Sequence, residues 1–305
     1  MLLTVAIPCY KSAKTLPTVV ENIRSEFQRH SEYDYQIVLV NDGSADDTFA
    51  VITKLCAEDN KIVGVDLSKN YGQAAAKMAA LPYVKGEILV YMDDDGQHDA
   101  QGIFELVKAI DNGADVAIAR FQQKKHTAFK RITSKMNSEV MHLVLNKPKD
   151  LSTSSFVAYS SFVVARMKEY DNPFLSLLGF VMQYTQKIVN VDLTHHERIY
   201  GSSGYTLKKL FKLSADSIFG FSTVPIQLIG LLCMLSAVVG AACFLVGLVF
   251  LCVGKICFPW MLAGCLFIVC AVILLALAIL GEYIGRMSLT LNGKPQYSVR
   301  STIND

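Results

Sequence analysis

The N-terminal part of the chain alternates short apolar runs with segments of helical periodicity. Apolar runs of about 4–8 residues indicate strands buried on both faces, and apolar positions three and four residues apart indicate helices. The predicted strands are Leu3–Pro8, Tyr35–Val40, Ile62–Leu67, Glu87–Met92 and Val116–Ala119. The predicted helices are Thr15–Phe27, Asp46–Ala57, Gln73–Val84 and Gln101–Asp111. Strands that alternate with helices form right-handed βαβ units, so the predicted fold class is α/β with a mostly parallel sheet.

Polar residues follow four of these strands. Ligands of open parallel sheets bind beyond the carboxyl ends of the strands, where such residues meet along one edge. The four groups are Pro8–Tyr10, Asn41–Asp42, Ser68–Asn70 and Asp93–Gln97. Their convergence predicts a binding cleft at that edge.

The pattern changes after Ala119. The polar, basic and aperiodic segment Arg120–Arg131 predicts a mobile loop. The predictions that follow are a helix at Ile132–Leu145, a loop at Lys147–Ser155, a strand at Phe156–Tyr159, a helix near Phe162–Lys168 and an apolar stretch at Ile188–Leu193. Tyr205–Phe219 has one apolar and one basic face, which is typical of a helix on an anionic membrane surface, or alternatively of one packed on the head.

Two long apolar segments follow. Ser217–Gly254 and Ile256–Gly281 contain no charged residue, and Lys255 alone separates them. Each can supply the ~20 residues that cross a bilayer. The predicted organisation is a head at 1–204, an amphipathic helix at 205–222, a two-helix transmembrane hairpin at 223–285 and a tail at 286–305.

Composition and charge agree with a membrane protein. Hydrophobic residues make up 52% of the chain and charged residues 18%, against about 45–50% and 25% in soluble domains. The formal net charge of +2 argues against a basic nucleic-acid surface, so no nucleic-acid partner is expected. Basic residues flank the hairpin, which predicts a cytoplasmic head and cytoplasmic termini. The N-terminal run MLLTVAIP lacks the basic start of a signal peptide.

Asp93, Asp94 and Asp95 come directly after a buried strand. Three adjacent carboxylates repel one another, and a hard cation such as Mg²⁺ or Mn²⁺ relieves that repulsion. Because Mg²⁺ is usually shared with substrate phosphates, the cluster indicates a diphosphate ligand; the alternative is a solvated acidic turn. Asp42, in the turn after the second strand, could accept a hydrogen bond from a ribose or a base, or belong to a helix-capping turn.

Four motifs resemble family 2 glycosyltransferases of the GT-A fold. They are PxY at Pro8–Tyr10, VNDGSxDxT at Val40–Thr48, LSKNYGQ at Leu67–Gln73 and MDDDGQ at Met92–Gln97. Three more are similar to the polyprenyl-phosphate branch, which includes dolichyl-phosphate mannosyltransferase and the bactoprenol glucosyl- and aminoarabinosyltransferases. These are HHERIYGSSGY at His195–Tyr205, FSTVP at Phe221–Pro225 and GEYIGR at Gly281–Arg286.

The resemblance implies a role for each matching residue. The nucleotide-sugar ligands would be Pro8, Tyr10, Asp42, Asn70, Asp93 and Asp94. Asp95 and Gln97 would bind Mg²⁺ or Mn²⁺. The lipid phosphate would meet Arg120, Arg131, Ser134, Arg198 and Ser203. The catalytic set would be Asp95, Arg131 and Arg198.

The sequence departs from the family at two places. The family often continues PxYNEE, whereas Lys11, Ser12 and Ala13 follow Tyr10 here. The bactoprenol glucosyltransferases have GDFR where this chain has Ser154–Val157, so their Asp becomes Ser155 and their Arg becomes Val157. Glucose is therefore not favoured as the transferred sugar.

The resemblance implies an enzyme of the bacterial cytoplasmic membrane that serves cell-envelope glycan modification. It would transfer a sugar from a nucleotide-diphosphate sugar, with UDP favoured, to undecaprenyl phosphate with inversion. A phosphate monoester is mostly a dianion at neutral pH, so the acceptor needs no general base. The alternatives are a polysaccharide synthase of the same family and a non-catalytic membrane scaffold. A homo-oligomer is compatible with either the enzyme or the alternatives.

Overall fold

A computed structural model describes residues 1–121, 142, 147–148, 150–194, 224–252 and 258–305. The chain forms two compact units. One comprises Met1–Lys212 and Pro295–Asp305, and the other comprises Leu213–Lys294. The first, called the head below, holds the sheet and the candidate site.

In the described part of the head, eight strands form one sheet in the order β7-β5-β6-β4-β1-β2-β3-β8. Their bounds are β1 Leu2–Cys9, β2 Asp34–Asn41, β3 Ile62–Leu67, β4 Ile88–Tyr91, β5 Val116–Phe121, β6 Val157–Ser160, β7 Ile188–Leu193 and β8 Val299–Ile303. The neighbours β3, β2, β1 and β4 are parallel, as are β5 and β7. Strand β6 runs antiparallel to β4 and β5, and β8 runs antiparallel to β3. The mostly parallel α/β prediction is therefore confirmed.

Helices cover the sheet because each has an apolar side. The described helices of the head are α1 Leu16–Arg29, α2 Thr48–Glu58, α3 Gln73–Ala80, α4 Gly102–Asp111, α5 Ser161–Lys168 and α6 Leu177–Tyr184. In α1, Val19, Val20, Ile23 and Phe27 are buried in the core against strands β1 and β2. The strand and helix pairs predicted before Ala119 are all present.

Two predicted boundaries are wrong, and one helix was missed. The helix predicted over Gln73–Val84 ends at Ala80 and gives way to a short 3₁₀ turn at Leu81–Tyr83, because Pro82 lacks the N–H that would continue the ladder. Arg120 and Phe121, predicted in a loop, extend β5 because they pair with Asp192 and Leu193 of β7. Helix α6 was not predicted at all.

The largest correction concerns the predicted tail at 286–305. The second apolar helix continues to Leu291, and Val299–Ile303 forms β8 of the head. Strand β8 pairs with β3, so this C-terminal segment completes the sheet edge instead of leaving the fold. A free strand edge presents unpaired backbone groups, and β8 covers that edge here.

The other unit contains helices α7 Val224–Cys252 and α8 Phe258–Leu291, which contact each other. Within them Val224–Gly247 and Leu262–Leu291 are long and apolar enough to cross a membrane. The two predicted apolar helices are thus confirmed, while their topology stays a prediction. The predicted helices at 205–222 and, apart from His142, at 132–145 lie outside the described residues.

Candidate active site

An open cleft of about 430 Å³ lies at the carboxyl end of β4. It is lined by Gln73, Asp93, Asp94, Asp95, Thr153, Ser154 and Ser155. Gln73 begins α3, the aspartates follow β4, and residues 153–155 lead into β6. Because β6 is antiparallel to β4, the segment before β6 meets the end of β4 at this edge. Of the four predicted strand-end groups, the one after β4 lines this cleft, and residues 153–155 form a wall that sequence reasoning had placed only in a loop.

Asp93 ties two walls of the cleft together. Its Oδ1 accepts a hydrogen bond from Gln73 Nε2 at 2.8 Å, and its Oδ2 accepts one from Ser155 Oγ at 2.5 Å. Its backbone N–H donates to His98 Nδ1 at 3.2 Å. Asp93 therefore stabilises the two cleft walls, in addition to its predicted contact with a diphosphate.

Asp94 joins the ends of β1 and β4. Its Oδ2 accepts a hydrogen bond from the backbone N–H of Tyr10 at 3.0 Å. Burial raises the pKa of this carboxyl to about 6, and the negative charge of Asp93 adds to the rise, although the Tyr10 N–H opposes it. Near pH 7 the Asp94 carboxyl is mainly ionised, but burying its negative charge costs free energy in the folded state.

Asp95 and Gln97, the predicted metal pair, share one turn. The Gln97 backbone N–H donates to Asp95 Oδ1 at 3.0 Å, and Gly96 between them has φ +73°. Across the described residues, no group of three His, Cys, Asp or Glu side chains could hold a metal ion by itself. The arrangement fits Mg²⁺ or Mn²⁺ bound by one or two carboxylates and completed by substrate phosphates, which is the usual mode for Mg²⁺.

Asp42 is 3% exposed and fixes the loop Ser68–Gly72, called the donor loop below. Its Oδ1 accepts the Tyr71 N–H at 2.7 Å and its Oδ2 accepts the Gly72 N–H at 2.9 Å. Asn70 Nδ2 donates to the Asp42 carbonyl at 3.2 Å. Burial raises the pKa of Asp42, and the two amides oppose the rise. Its nucleoside contact stays a prediction, because the observed partners are backbone amides.

The other predicted nucleoside residues differ in accessibility. Pro8 is buried in β1, two residues beyond the last β1–β4 pair, Ala6 and Tyr91. Tyr10 is 48% exposed, and Asn70 is also exposed. Tyr10 and Asn70 therefore present surface to a ligand, while Pro8 shapes the strand end.

Lys11 stands at the Asn position of the PxYNEE pattern, and Ser12 and Ala13 stand at its two acidic positions. Its backbone has φ +56°, and its N–H donates to Ser44 Oγ at 3.1 Å. Its ammonium lies 5.4 Å from the centre of the Tyr10 ring. A positive charge therefore lies beside the exposed Tyr10 ring.

Lys77 is a buried cation that sequence reasoning missed. It is 6% exposed, and its Nζ donates to the Ser155 carbonyl at 3.0 Å and lies 5.0 Å from the Tyr91 ring centre. Burial lowers its pKa, and the charge of Asp93 opposes the change. The available signal was a lysine within the otherwise small and apolar run AAAKMAA.

One of the predicted lipid-phosphate residues is described. Exposed Arg120 forms a two-pronged ion pair with Asp192 across β5 and β7, with Nε to Oδ1 at 2.5 Å and Nη2 to Oδ2 at 2.7 Å. Its position on a strand and its partner follow from the sheet register. The remaining members, Arg131, Ser134, Arg198 and Ser203, lie outside the described residues.

Residues 4–170 match the model of glycosyl transferase family 2, and the chain belongs to that family. It is a glycosyltransferase of the GT-A fold, as the sequence motifs predict. The chain is 26% identical over 311 residues to an undecaprenyl-phosphate 4-deoxy-4-formamido-L-arabinose transferase of Photorhabdus laumondii, covering 99% of this chain and 94% of that one. A transferase of the same description from Proteus mirabilis is 26% identical, covering 98% and 93%.

Solved structures show the same fold at lower identity. Mannosyl-3-phosphoglycerate synthase from Rubrobacter xylanophilus superposes with a TM-score of 0.51 at 15% identity, covering 71% of each chain. Glucosyl-3-phosphoglycerate synthase from Mycobacterium tuberculosis, in complex with Mn²⁺, UDP and phosphoglyceric acid, has a TM-score of 0.51 at 16% identity, covering 71% of this chain and 76% of that one. These likenesses establish the fold of the head.

Proposed function

We propose that this glycosyltransferase moves a sugar from a nucleotide-diphosphate sugar to a polyprenyl phosphate, with inversion at the anomeric carbon. The observation that supports this best is the cleft lined by Asp93, Asp94 and Asp95 in a chain that also has two helices able to cross a membrane. The full-length relatives are described as undecaprenyl-phosphate sugar transferases, which makes undecaprenyl phosphate the preferred acceptor.

The nucleophile is an oxygen of the acceptor phosphate, which is already negatively charged. A phosphate monoester has a second pKa near about 6 and is mostly a dianion at neutral pH. Its oxygen can attack the anomeric carbon directly, while the bond from that carbon to the donor diphosphate breaks and the electron pair leaves with the nucleotide. No proton has to be removed, so no general base is needed. A single displacement of this kind inverts the anomeric centre.

The protein's task is then to hold two anions together and to stabilise the leaving diphosphate. Asp95 and Gln97 are the proposed ligands of Mg²⁺ or Mn²⁺, which when bound would neutralise the leaving group. Asp93 and Asp94 hold the cleft walls, and basic side chains screen the acceptor phosphate. Arg131 and Arg198 are the proposed residues for that screening.

The structure shows the surroundings of positions 155 and 157, where the sequence departs from GDFR. Val157 is 3% exposed inside the sheet, opposite Tyr91, so position 157 presents no group to the cleft. Ser155 donates its hydroxyl hydrogen to Asp93. A carboxylate at position 155 would instead be brought against Asp93, so Ser155 suits this cleft. The departure from GDFR supports a donor sugar other than glucose, and a UDP-sugar is the proposed donor.

The proposed location is the bacterial cytoplasmic membrane, with the head and both termini in the cytoplasm. Support comes from the two apolar helices and from the basic residues that flank them. A lipid-linked sugar made there would serve cell-envelope glycan modification.

The test is a transfer assay with the full-length protein, Mn²⁺ or Mg²⁺, undecaprenyl phosphate and a panel of labelled nucleotide sugars. We expect one donor to label the organic phase and Asp95→Ala to reduce that rate at least about 100-fold, because leaving-group stabilisation is lost. The matched control is Asp111→Ala, which removes an exposed carboxylate from the end of α4 and should leave the rate unchanged. Absence of transfer from every donor by folded wild-type protein would contradict the proposal.

A further inference from the structure

The C-terminal strand β8 reaches the head beside the donor loop. Strand β8 pairs with β3, and the pairing places Ser301 opposite Asp66 and Val299 opposite Leu67. Arg300 is therefore an extra residue in the ladder, at a bulge that coincides with the carboxyl end of β3. Bulges re-aim side chains and are common next to active sites.

The bulged residue makes a specific contact. Arg300 Nη2 donates to the Ser68 carbonyl at 2.8 Å, and Ser68 is the first residue of the donor loop. The backbone N–H of Ser68 donates in turn to the Ser298 carbonyl at 2.9 Å. The start of the donor loop is thus held on both its donor and its acceptor group by the C-terminal segment.

Hydrogen bonds continue from this anchor into the cleft. The other end of the donor loop binds the Asp42 carboxylate through the Tyr71 and Gly72 amides. The next residue, Gln73, donates to Asp93 in the wall of the cleft. A displacement at Ser68 would therefore be passed along five consecutive residues to a cleft-lining side chain.

A second connection passes through Asp66. Arg300 Nη1 lies 3.9 Å from Asp66 Oδ2, and Asp66 Oδ1 accepts a hydrogen bond from Asn41 Nδ2 at 2.7 Å. Asn41 Oδ1 accepts the Ser44 N–H at 3.2 Å, and Ser44 Oγ accepts the Lys11 N–H at 3.1 Å. Arg300 thus contacts the first residue of the donor loop directly and is linked to the turn that begins at Asn41 through Asp66.

We propose that Arg300 is a positioning residue for donor binding, acting through Ser68 and Asp66 without touching the substrate. This inference rests on the proposed function, because it takes the Ser68–Gly72 loop to be the donor side of the cleft. It gives the C-terminal segment a part in donor binding, because the chain that follows α8 orders the nucleotide-sugar site.

The strand also contains a matched control. At its far end, Asn304 Nδ2 donates to the carbonyls of Cys56 and Ile62, close to the amino end of β3 and away from the donor loop. Asn304 has φ +59°, a conformation that glycine adopts at little cost. Asn304→Gly therefore removes a strand anchor without backbone strain and leaves the loop contact in place.

The experiment compares wild type, Arg300→Ala, Arg300→Lys and Asn304→Gly in the full-length protein. For Arg300→Ala we expect about a 3- to 10-fold rise in the donor KM and in the Kd of UDP measured with Mn²⁺, which corresponds to the net contribution of about one hydrogen bond. The kcat and the KM for undecaprenyl phosphate should change less than about 2-fold. Arg300→Lys keeps the charge and one donor, so it should recover part of the loss.

Amide hydrogen exchange supplies a readout that needs no ligand. The Tyr71 and Gly72 amides should exchange faster in Arg300→Ala and at the wild-type rate in Asn304→Gly, because only the former loosens the loop. Folding is checked by thermal unfolding, where little change is expected since the Arg300 side chain is 65% exposed.

The outcomes separate the two proposals. Equal donor KM and equal exchange in Arg300→Ala and wild type would overturn the positioning role, as would the same loss in Arg300→Ala and Asn304→Gly. If wild type neither binds UDP nor transfers sugar from any donor, the proposed function fails. Faster exchange at Tyr71 in Arg300→Ala would still support the contact that orders the loop.

Discussion

At the scale of single residues, the cleft is built around buried charges that are satisfied by specific neighbours. Asp42 accepts two loop amides, and Lys77 donates to the Ser155 carbonyl. Buried charges without partners are costly, so each of these groups fixes the segment that satisfies it. The walls of the cleft are thus held in place by side chains that need not touch the substrate.

Asp94 gives a pH prediction. Its pKa rises from 3.8 to about 6 on folding, chiefly through burial. A carboxyl with a raised pKa favours the folded state below its unfolded value, and that contribution is lost as the pH rises through about 6. Asp94→Asn should therefore stabilise the metal-free protein near pH 8 by up to ~3 kcal/mol, because the rise is about two pKa steps of ~1.4 kcal/mol each. The advantage should shrink toward pH 4.

Thermal unfolding in buffers that contain a chelator measures this effect. The control is Asp111→Asn, which changes an exposed carboxylate and should give the same midpoint as wild type at every pH. A constant difference between Asp94→Asn and wild type from about pH 4 to pH 8 would show that the Asp94 carboxyl is not destabilised by burial.

At the scale of elements, the parallel strands and their polar ends could be predicted because each strand is an apolar run followed by a turn. Strand β3 was predicted with its observed bounds, Ile62–Leu67, and β4 within one residue at each end. The same reasoning placed Asp93, Asp94 and Asp95 in one cleft. Local pattern is sufficient here because strand, turn and polar residues are contiguous in sequence.

The elements that were missed depend on distant partners. Strand β8 is short and mixed in polarity, and its identity as a strand comes from pairing with β3, more than two hundred residues earlier. Helix α6 is a short apolar run, which periodicity alone does not distinguish from a strand. Lys77 was missed because its partner, the Ser155 carbonyl, lies on another element. Such contacts are set by tertiary packing.

The packing of two turns gives a second prediction. Gly43, in the turn after β2, has φ +59°, and an added Cβ would lie 2.2 Å from the Lys69 carbonyl carbon and 2.5 Å from the Asn70 nitrogen. Gly43→Ala must therefore displace the donor loop as well as strain its own backbone. We expect a loss of at least about 2 kcal/mol of stability and more than about 10-fold in donor affinity.

Gly113→Ala is the matched control for this substitution. Gly113 also has a positive φ, +97°, but an added Cβ would meet nothing within 4 Å. It should show the cost of backbone strain, about 1–3 kcal/mol, with unchanged donor affinity. Both variants are compared by thermal unfolding and by UDP titration with Mn²⁺. Equal donor affinity in the two variants would contradict a close-packed donor loop.

At the scale of the whole molecule, the head is discontinuous in sequence. Met1–Lys212 and Pro295–Asp305 form one unit, while Leu213–Lys294, with the two apolar helices, forms the other. Ile303 of β8 packs against the main core of the head. Residues 213–294 are therefore joined to the head at both ends of the segment, because the chain before it and the strand β8 after it both belong to the head.

This organisation predicts how the head behaves without the helices. Residues 1–212 alone should unfold at lower temperature and aggregate, because the edge of β3 loses its partner strand. Reattaching residues 295–305 through a long glycine-serine linker should restore about 2–3 kcal/mol, or about 5–10 °C in Tm, since loop closure costs grow slowly with linker length. The control carries the same C-terminal residues in scrambled order. If the native and scrambled segments give the same Tm and the same aggregation, β8 contributes nothing to the stability of the head, and its pairing with β3 cannot order the donor loop.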